Sequence, residues 1–245
     1  MKVSRLKQLI LGELLRLHKY NVIFISVFIA LVWGIILYFV DSNIFDVLLP
    51  LLILVDSTMM SFMYIGSVMF FEKKESTLSS ILVTPVKNEE IVLSKIFANT
   101  LHNLLSTSLV IIAFVFIKQV ELRYILIFFS IIVITSLFTG LGLLFSYYQK
   151  DFTTMLMNIM ILAFLLLIPS ALFAFGIISG KFWEYILLIN PIQAAQELIN
   201  GGFKEYELTW KYYFSLAYLL VGLITTYKYL IIPKFQKYAV SISGV

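Results

Sequence analysis

The sequence predicts an all-α integral membrane protein: six transmembrane helices, an N-terminal amphipathic interfacial helix, a short cytoplasmic helix, and a short external helical hairpin before the last span. Three observations carry that prediction. Hydrophobic residues make up 61% of the 245 and charged residues only 13%, whereas a soluble domain carries about a quarter charged residues. The charges are segregated, leaving apolar runs of about 20 residues or more, long enough to cross hydrocarbon as helices. The cations also sort by side, as set out below.

Residues 3–19, VSRLKQLILGELLRLHK, place Val3, Leu6, Leu9, Ile10, Leu14 and Leu17 on one helical face and Lys2, Arg5, Lys7, Glu13, Arg16 and Lys19 mostly on the other. That pattern suits a helix lying in the membrane interface with its cations toward anionic headgroups. The first apolar run starts late, exceeds a signal-peptide core and has no small-residue cleavage site behind it, so a cleaved signal is not expected. Six spans follow, at about 21–40, 47–71, 91–117, 122–146, 153–178 and 211–232. An even number puts both termini on one side.

With the N-terminus inside, 13 of the 18 Lys and Arg fall in cytoplasmic segments: Lys2, Arg5, Lys7, Arg16, Lys19, Lys73, Lys74, Lys87, Lys95, Lys150, Lys228, Lys234 and Lys237. The other five, Lys118, Arg123, Lys181, Lys204 and Lys211, fall outside. This obeys the positive-inside rule and the reverse topology violates it. Both termini are therefore expected in the cytoplasm, with a tail over 233–245. The whole chain reads as one transmembrane domain with no soluble domain.

The longest polar interruption in the first half, FFEKKESTLSSILVTPVKNEE at 70–90, lies on the cytoplasmic side. Ser76 and Thr77 are good N-caps, since a hydroxyl accepts an orphan backbone N–H at a helix start. Glu72 and Glu75 sit where the helix dipole favours negative charge. Leu78, Ile81 and Leu82 recur at i, i+3 and i+4 as a short apolar stripe. Thr84 precedes Pro85, which disfavours further helix. A brief amphipathic helix results. Its stripe has the size to sit in a groove on another protein, and equally to pack on its own bundle.

Glu72, Ser76-Thr77-Leu78, Leu82 and Thr84-Pro85-Val86, followed by Ile91 and Lys95, resemble the cytoplasmic signature of type-2 ATP-binding cassette (ABC) exporter permeases. There the pattern runs Glu, three residues, Gly-Thr-Leu, Leu and Thr-Pro, with a Lys entering the next span; Ser76 stands here in the usual Gly position. The resemblance implies that the segment over 72–90, with Glu72, Ser76, Thr77, Leu78, Ile81, Leu82, Thr84 and Pro85, is a coupling helix that docks on a separate ATPase subunit. A second resemblance lies in the outer loop, 179–210. Asn190-Pro191-Ile192 opens QAAQELI, which ends at Asn200-Gly201-Gly202; Pro in the first turn and a Gly stop suit a helix. Family members lead a short hairpin into the outer leaflet with a similar Asn-Pro. The resemblance further implies a multi-pass protein of a bacterial or archaeal cell membrane, ABC ATPase subunits and a second copy or paralogous permease as partners, and membrane lipids around it. Similarity to small permeases for drug and fluoroquinolone-type efflux, with no carbohydrate-binding domain, points to an amphipathic drug, antimicrobial peptide or lipid-like cargo.

Inside the membrane, Asp56 in the second span and His102 in the third are costly to bury and are functional candidates by default. At about 1.5 Å per residue they lie about 22 and 16 Å from the cytoplasmic ends, within reach of each other if the spans pack face to face. Asn99, His102, Asn103 and Ser106 form a polar stripe at helical spacing, which suits either a substrate pathway or interhelical hydrogen bonding. Pro169 marks a kink in the fifth span, Gly140 and Gly142 permit close helix approach, and Tyr20, Trp183 and Trp210 fit the interfacial aromatic belt.

Other classes fit less well. There are no cysteines, which removes disulfides and thiolate metal sites, and the net charge of +4 is too small and scattered for a nucleic-acid partner. The phosphate loop GxxxxGK[ST] is missing, so the chain holds no cofactor of its own and ATP and Mg would come with the partner ATPase. Glu89-Glu90 resembles the paired glutamates of CAAX-processing proteases, but the accompanying Arg and membrane histidines are missing, as is the Gly-x-Ser-Gly of rhomboids. The alternative is an ion-coupled secondary transporter using Asp56, for which no repeated half is visible.

Overall fold

Long apolar segments must satisfy their backbone internally in lipid, and helices do so within one segment; among the described residues every regular element is accordingly helical. The computed structural model describes residues 3–39, 45–82, 84–117, 120–149 and 151–243. Lys2, Lys118, Lys150, the last residue of the expected first span and the final two of the tail lie outside them. The elements are α1 (Val3–Lys19), α2 (Val22–Phe39), α3 (Phe45–Val55), a π turn (Asp56–Met60), α4 (Ser61–Lys74), α5 (Thr77–Leu82), α6 (Asn88–Ile117), α7 (Tyr124–Ser146), α8 (Phe152–Ala174), α9 (Lys181–Leu187), α10 (Pro191–Asn200), α11 (Trp210–Thr225), a second π turn (Thr226–Ile231) and α12 (Ile232–Ser243). Five stretches are long and apolar enough to cross a membrane, and six if α1 and α2, bent by 62° at their junction, count as one broken span.

The core gathers around α4, α6 and α7, which pack mainly on one another, with α2 along α6. Gly142 makes the α4–α7 contact possible, since a Cβ there would run into Ile65 and the backbone of Phe62. α8 and α11 lie outermost, and most of their surface faces outward.

Three boundaries move. The second span extends to Lys74, so Glu72 belongs to the end of a membrane helix, held there by its ion pairs, and not to the start of the cytoplasmic helix. The last span runs from Trp210 to Ala239: the second π turn precedes Pro233 and absorbs its missing N–H. The expected tail is therefore helix as far as Ser243, and Phe235, Tyr238 and Ala239 are buried. The fifth span ends at Ala174, where Gly176 turns the chain at φ +70°, four residues short of the expected limit.

Candidate functional site

The short helix between the second and third spans is set in a frame built from four other helices. α1 runs alongside it. At one end Arg5 donates to the Pro85 carbonyl (2.8 Å) and lies 3.7 Å from Glu90. At the other, Lys19 Nζ and Tyr20 Oη donate to Glu75 (2.6 and 3.0 Å), and these bonds hold the Glu75 carboxyl below the usual carboxylate value. Between the ends lies a buried network. Lys95 Nζ reaches both oxygens of Glu72 at 2.6 Å and both of Glu13 at 3.0 and 3.2 Å. Arg16 pairs with Glu13 and with Glu72 (3.0 Å). Two acids and two bases cancel, which is what lets four charges sit out of water.

This changes several sequence expectations. Glu13 and Arg16 do not face headgroups; they turn into the bundle, and α1 packs along α6 with Leu17 buried. Glu72 is fully buried and cannot touch a docking partner. The apolar stripe of α5 also turns inward. Leu78 is 1% exposed, and with Ile81 and Leu82 at its edge it packs against Ile65, Met69, Ile91, Val92, Phe235 and Tyr238 of the bundle. The reason is the helical tail: α12 covers α5 and supplies the apolar groove on the same chain. What α5 and its flanks leave outside is mostly polar, namely Ser76, Ser80 and Thr84 with Pro85, and Lys73, Lys74 and Glu75 beside them; Thr77, Ile81 and Leu82 are half-buried.

Ser76 is not a conventional N-cap. Its φ is +55°, in the left-handed region that costs a side chain about 1–2 kcal/mol. The chain ends α4 and reverses into α5 there, with Ser76 N bonded to Lys73 O (3.3 Å) and Ser76 O accepting from Ser80 N (3.3 Å). A glycine suits that position, which gives the family's Gly a physical reason.

The intramembrane residues form a second, closed cluster. Asp56 opens the π turn and accepts from Thr107 Oγ1 (2.5 Å) and Ser106 Oγ (3.4 Å). Asn99 donates to the Ser61 carbonyl (3.1 Å) and to Thr139 (2.7 Å). Asn103 pairs with Ser61 Oγ and, with its amide oriented to satisfy both ends, donates to the Asp56 carbonyl (3.2 Å). His102 packs edge-on against Tyr64, ring centres 5.3 Å apart, and not against Asp56. All of these side chains are buried, and they tie the second span to the third and fourth.

At the far end, Asn190 caps α10 by accepting from Ile192 N (3.0 Å), and its amide donates to Leu166 O (2.7 Å) and Ser170 Oγ (3.3 Å) beside Pro169 of α8. Pro191 stands in the first turn of α10. Its helix is buried from Ile192 to Ile199; α9 stays exposed, with Lys211 paired to Glu184. Burial, with the hydrogen bond that its hydroxyl donates to Glu197, pushes the Tyr206 phenol up. Arg123 donates to the carbonyls of Gly201 (3.2 Å), Lys204 (3.2 Å) and Tyr206 (3.0 Å).

Sequence reasoning missed Glu13, Arg16, Arg123 and Thr107 as positioning residues. Glu13 had a signal: it is the only acid on an otherwise basic face, three residues before an arginine. Arg123 had none, because its partners are backbone carbonyls 78 or more positions away.

An all-helical chain with five to six long apolar helices is a multi-pass membrane protein. The family model described as ABC-2 type transporter matches residues 5–203, from α1 to the end of the hairpin, and the chain belongs to that family. It is the transmembrane component of an ABC-type transporter and not itself the ATPase. No curated protein matches it.

Proposed function

We propose that this chain forms the translocation pathway of an exporter, works with a second copy or a paralogous permease, and is driven by a separate ABC ATPase that binds ATP and Mg. The family normally works with such a partner. Coupling runs through α5, and the observation that supports it is the frame: a six-residue helix whose two flanks are tied to α1, at Glu75 by Lys19 and at Pro85 by Arg5, beside the ion pair that joins α4 to α6. A push on its exposed side is passed to α4 and α6 because Glu72, near the end of α4, is paired with Lys95, about two turns into α6. The ATPase then meets Ser76, Thr77, Ser80, Thr84 and Pro85, not the Leu78 stripe. With the positive-inside rule, this end faces the cytoplasm. The cargo is an amphipathic drug, antimicrobial peptide or lipid-like molecule.

Co-purification of the ATPase with the permease tests the docking. Ser80→Arg with Thr84→Arg should abolish capture while leaving the permease monodisperse, and retained capture would remove α5 from the interface. Transport of a panel of amphiphiles in proteoliposomes with the ATPase tests the cargo class.

A further inference from the structure

Between α4, α7 and α8 lies an apolar groove of about 230 Å³ to which the transport reading gives no role. Phe62, Phe138, Phe145, Ile159 and Leu162 line it, and one charged side chain, Lys234, stands at its end beside Tyr148. The lining follows α7 from Phe138 to its end at Ser146, a rise of about 12 Å at 1.5 Å per residue, and continues to Tyr148 in the turn beyond. That approaches the depth of one leaflet, half of a hydrocarbon core about 30 Å thick.

The Lys234 Nζ sits 5.0 Å from the Tyr148 ring centre. It takes part in none of the ion pairs formed among the described residues. The cation–π contact holds the ammonium at the mouth and leaves its donors without a carboxylate. Asp151, at the start of α8, is engaged as the N-cap and accepts from Thr154 N (2.8 Å). By contrast the groove between α2 and α6, lined by Ala30, Gly34, Ile112 and Ala113, is larger at about 480 Å³ but carries no charged side chain. It offers nothing that selects a headgroup.

We propose that the α4–α7–α8 groove binds an anionic phospholipid of the leaflet at the basic end. One acyl chain lies between Phe62, Phe138 and Leu162, and the phosphate rests on Lys234. The choice of leaflet rests on the proposed orientation; the binding does not require the ATPase.

Native mass spectrometry of the full chain in detergent, with phosphatidylglycerol and phosphatidylcholine of equal chain length, tests this. The wild type should retain phosphatidylglycerol about five-fold better, the selectivity that one cation near the surface confers. Lys234→Gln should abolish the preference, and Lys237→Gln, exposed and off the groove, should keep it. Leu162→Trp should fill the groove and reduce retention of both lipids. Glycerol 3-phosphate, the head without a chain, should displace neither. Equal retention of the two lipids by the wild type, an unchanged preference in Lys234→Gln, or displacement by glycerol 3-phosphate would overturn the assignment. Should Leu162→Trp fail to elute as a monodisperse species, the two lysine variants still decide the question. No ATPase is present, so failure here leaves the α5 docking test standing.

Discussion

The two ends of the molecule are held together by different chemistry. At the basic end, side chains grip side chains: Glu13, Arg16, Glu72 and Lys95 join α1, α4 and α6 through buried ion pairs. At the hairpin end, side chains grip backbone: Arg123 collects three carbonyls and Asn190 reaches Leu166 O. A charge network is neutral only as a whole, so losing one member strands the rest, whereas losing a clasp exposes only carbonyls that have other acceptor capacity. The basic end is therefore the more brittle, and a second mutation can repair it. That stiffness suits the coupling role proposed above.

The largest effect is expected at Lys95. Replacing it with Met leaves Glu13 and Glu72 buried with Arg16 as their one cation, and breaking a buried pair costs about 3–5 kcal/mol. Thermal unfolding in detergent should show a large drop or loss of the folded species. Lys95→Met with Glu72→Gln should recover a substantial part, because the stranded charge is gone; a double mutant no better than the single would mean the network contributes packing and not charge balance.

The clasp should give way more gently. Arg123→Ala removes three charge-assisted bonds, each of the kind worth about 1.5–3 kcal/mol, but water reaches this partly exposed site. A net loss of about 2 kcal/mol is expected, together with faster tryptic cleavage at Lys204. Asn190→Ala should cost about 1–2 kcal/mol for the lost cap and the lost tie to α8. If Asn190→Ala proved more damaging than Lys95→Met, the contrast between the two ends would be reversed. Asp56→Asn should be milder still, since its one side-chain oxygen can still accept from Thr107 and the amide it gains can donate to the Ser106 hydroxyl; an unfolded variant would show that the carboxylate itself is needed for assembly.

How much of this was legible in the sequence follows the range of the interactions. Apolar length and cation placement are properties of single segments, and the spans were readable from them. The helix start at Pro191 and the stop at Thr84-Pro85 are local and were readable too; the cap at Asn190 was not read. The inward turn of Leu78 stood only as one of two equal alternatives, because the groove that takes it is made by Phe235 and Tyr238, more than 150 positions on and in a stretch whose period did not announce a helix. Glu72 was misplaced for the same reason: its partners Lys95, Glu13 and Arg16 come from two other helices. Asp56 and His102 were each found as buried polar groups, but which hydroxyl or ring each would meet depends on helix rotation, which spacing along one helix does not determine.

The smallest expected effect is also the one that separates geometry from chemistry at α5. Ser76 holds φ +55° and is exposed, and its hydroxyl carries none of the hydrogen bonds that fix the turn; those come from its backbone. Ser76→Gly removes the left-handed strain but adds freedom to the unfolded chain, so the two terms partly cancel and a gain of up to about 1 kcal/mol is expected. Ser76→Val, β-branched at the same φ, should lose more than that. Because neither change touches the ion pairs beneath, stability should track the backbone alone. If Ser76→Gly keeps the fold yet loses ATPase capture, the hydroxyl is a docking contact; if capture is unchanged, the position serves the turn and the contacts lie at Ser80 and Thr84.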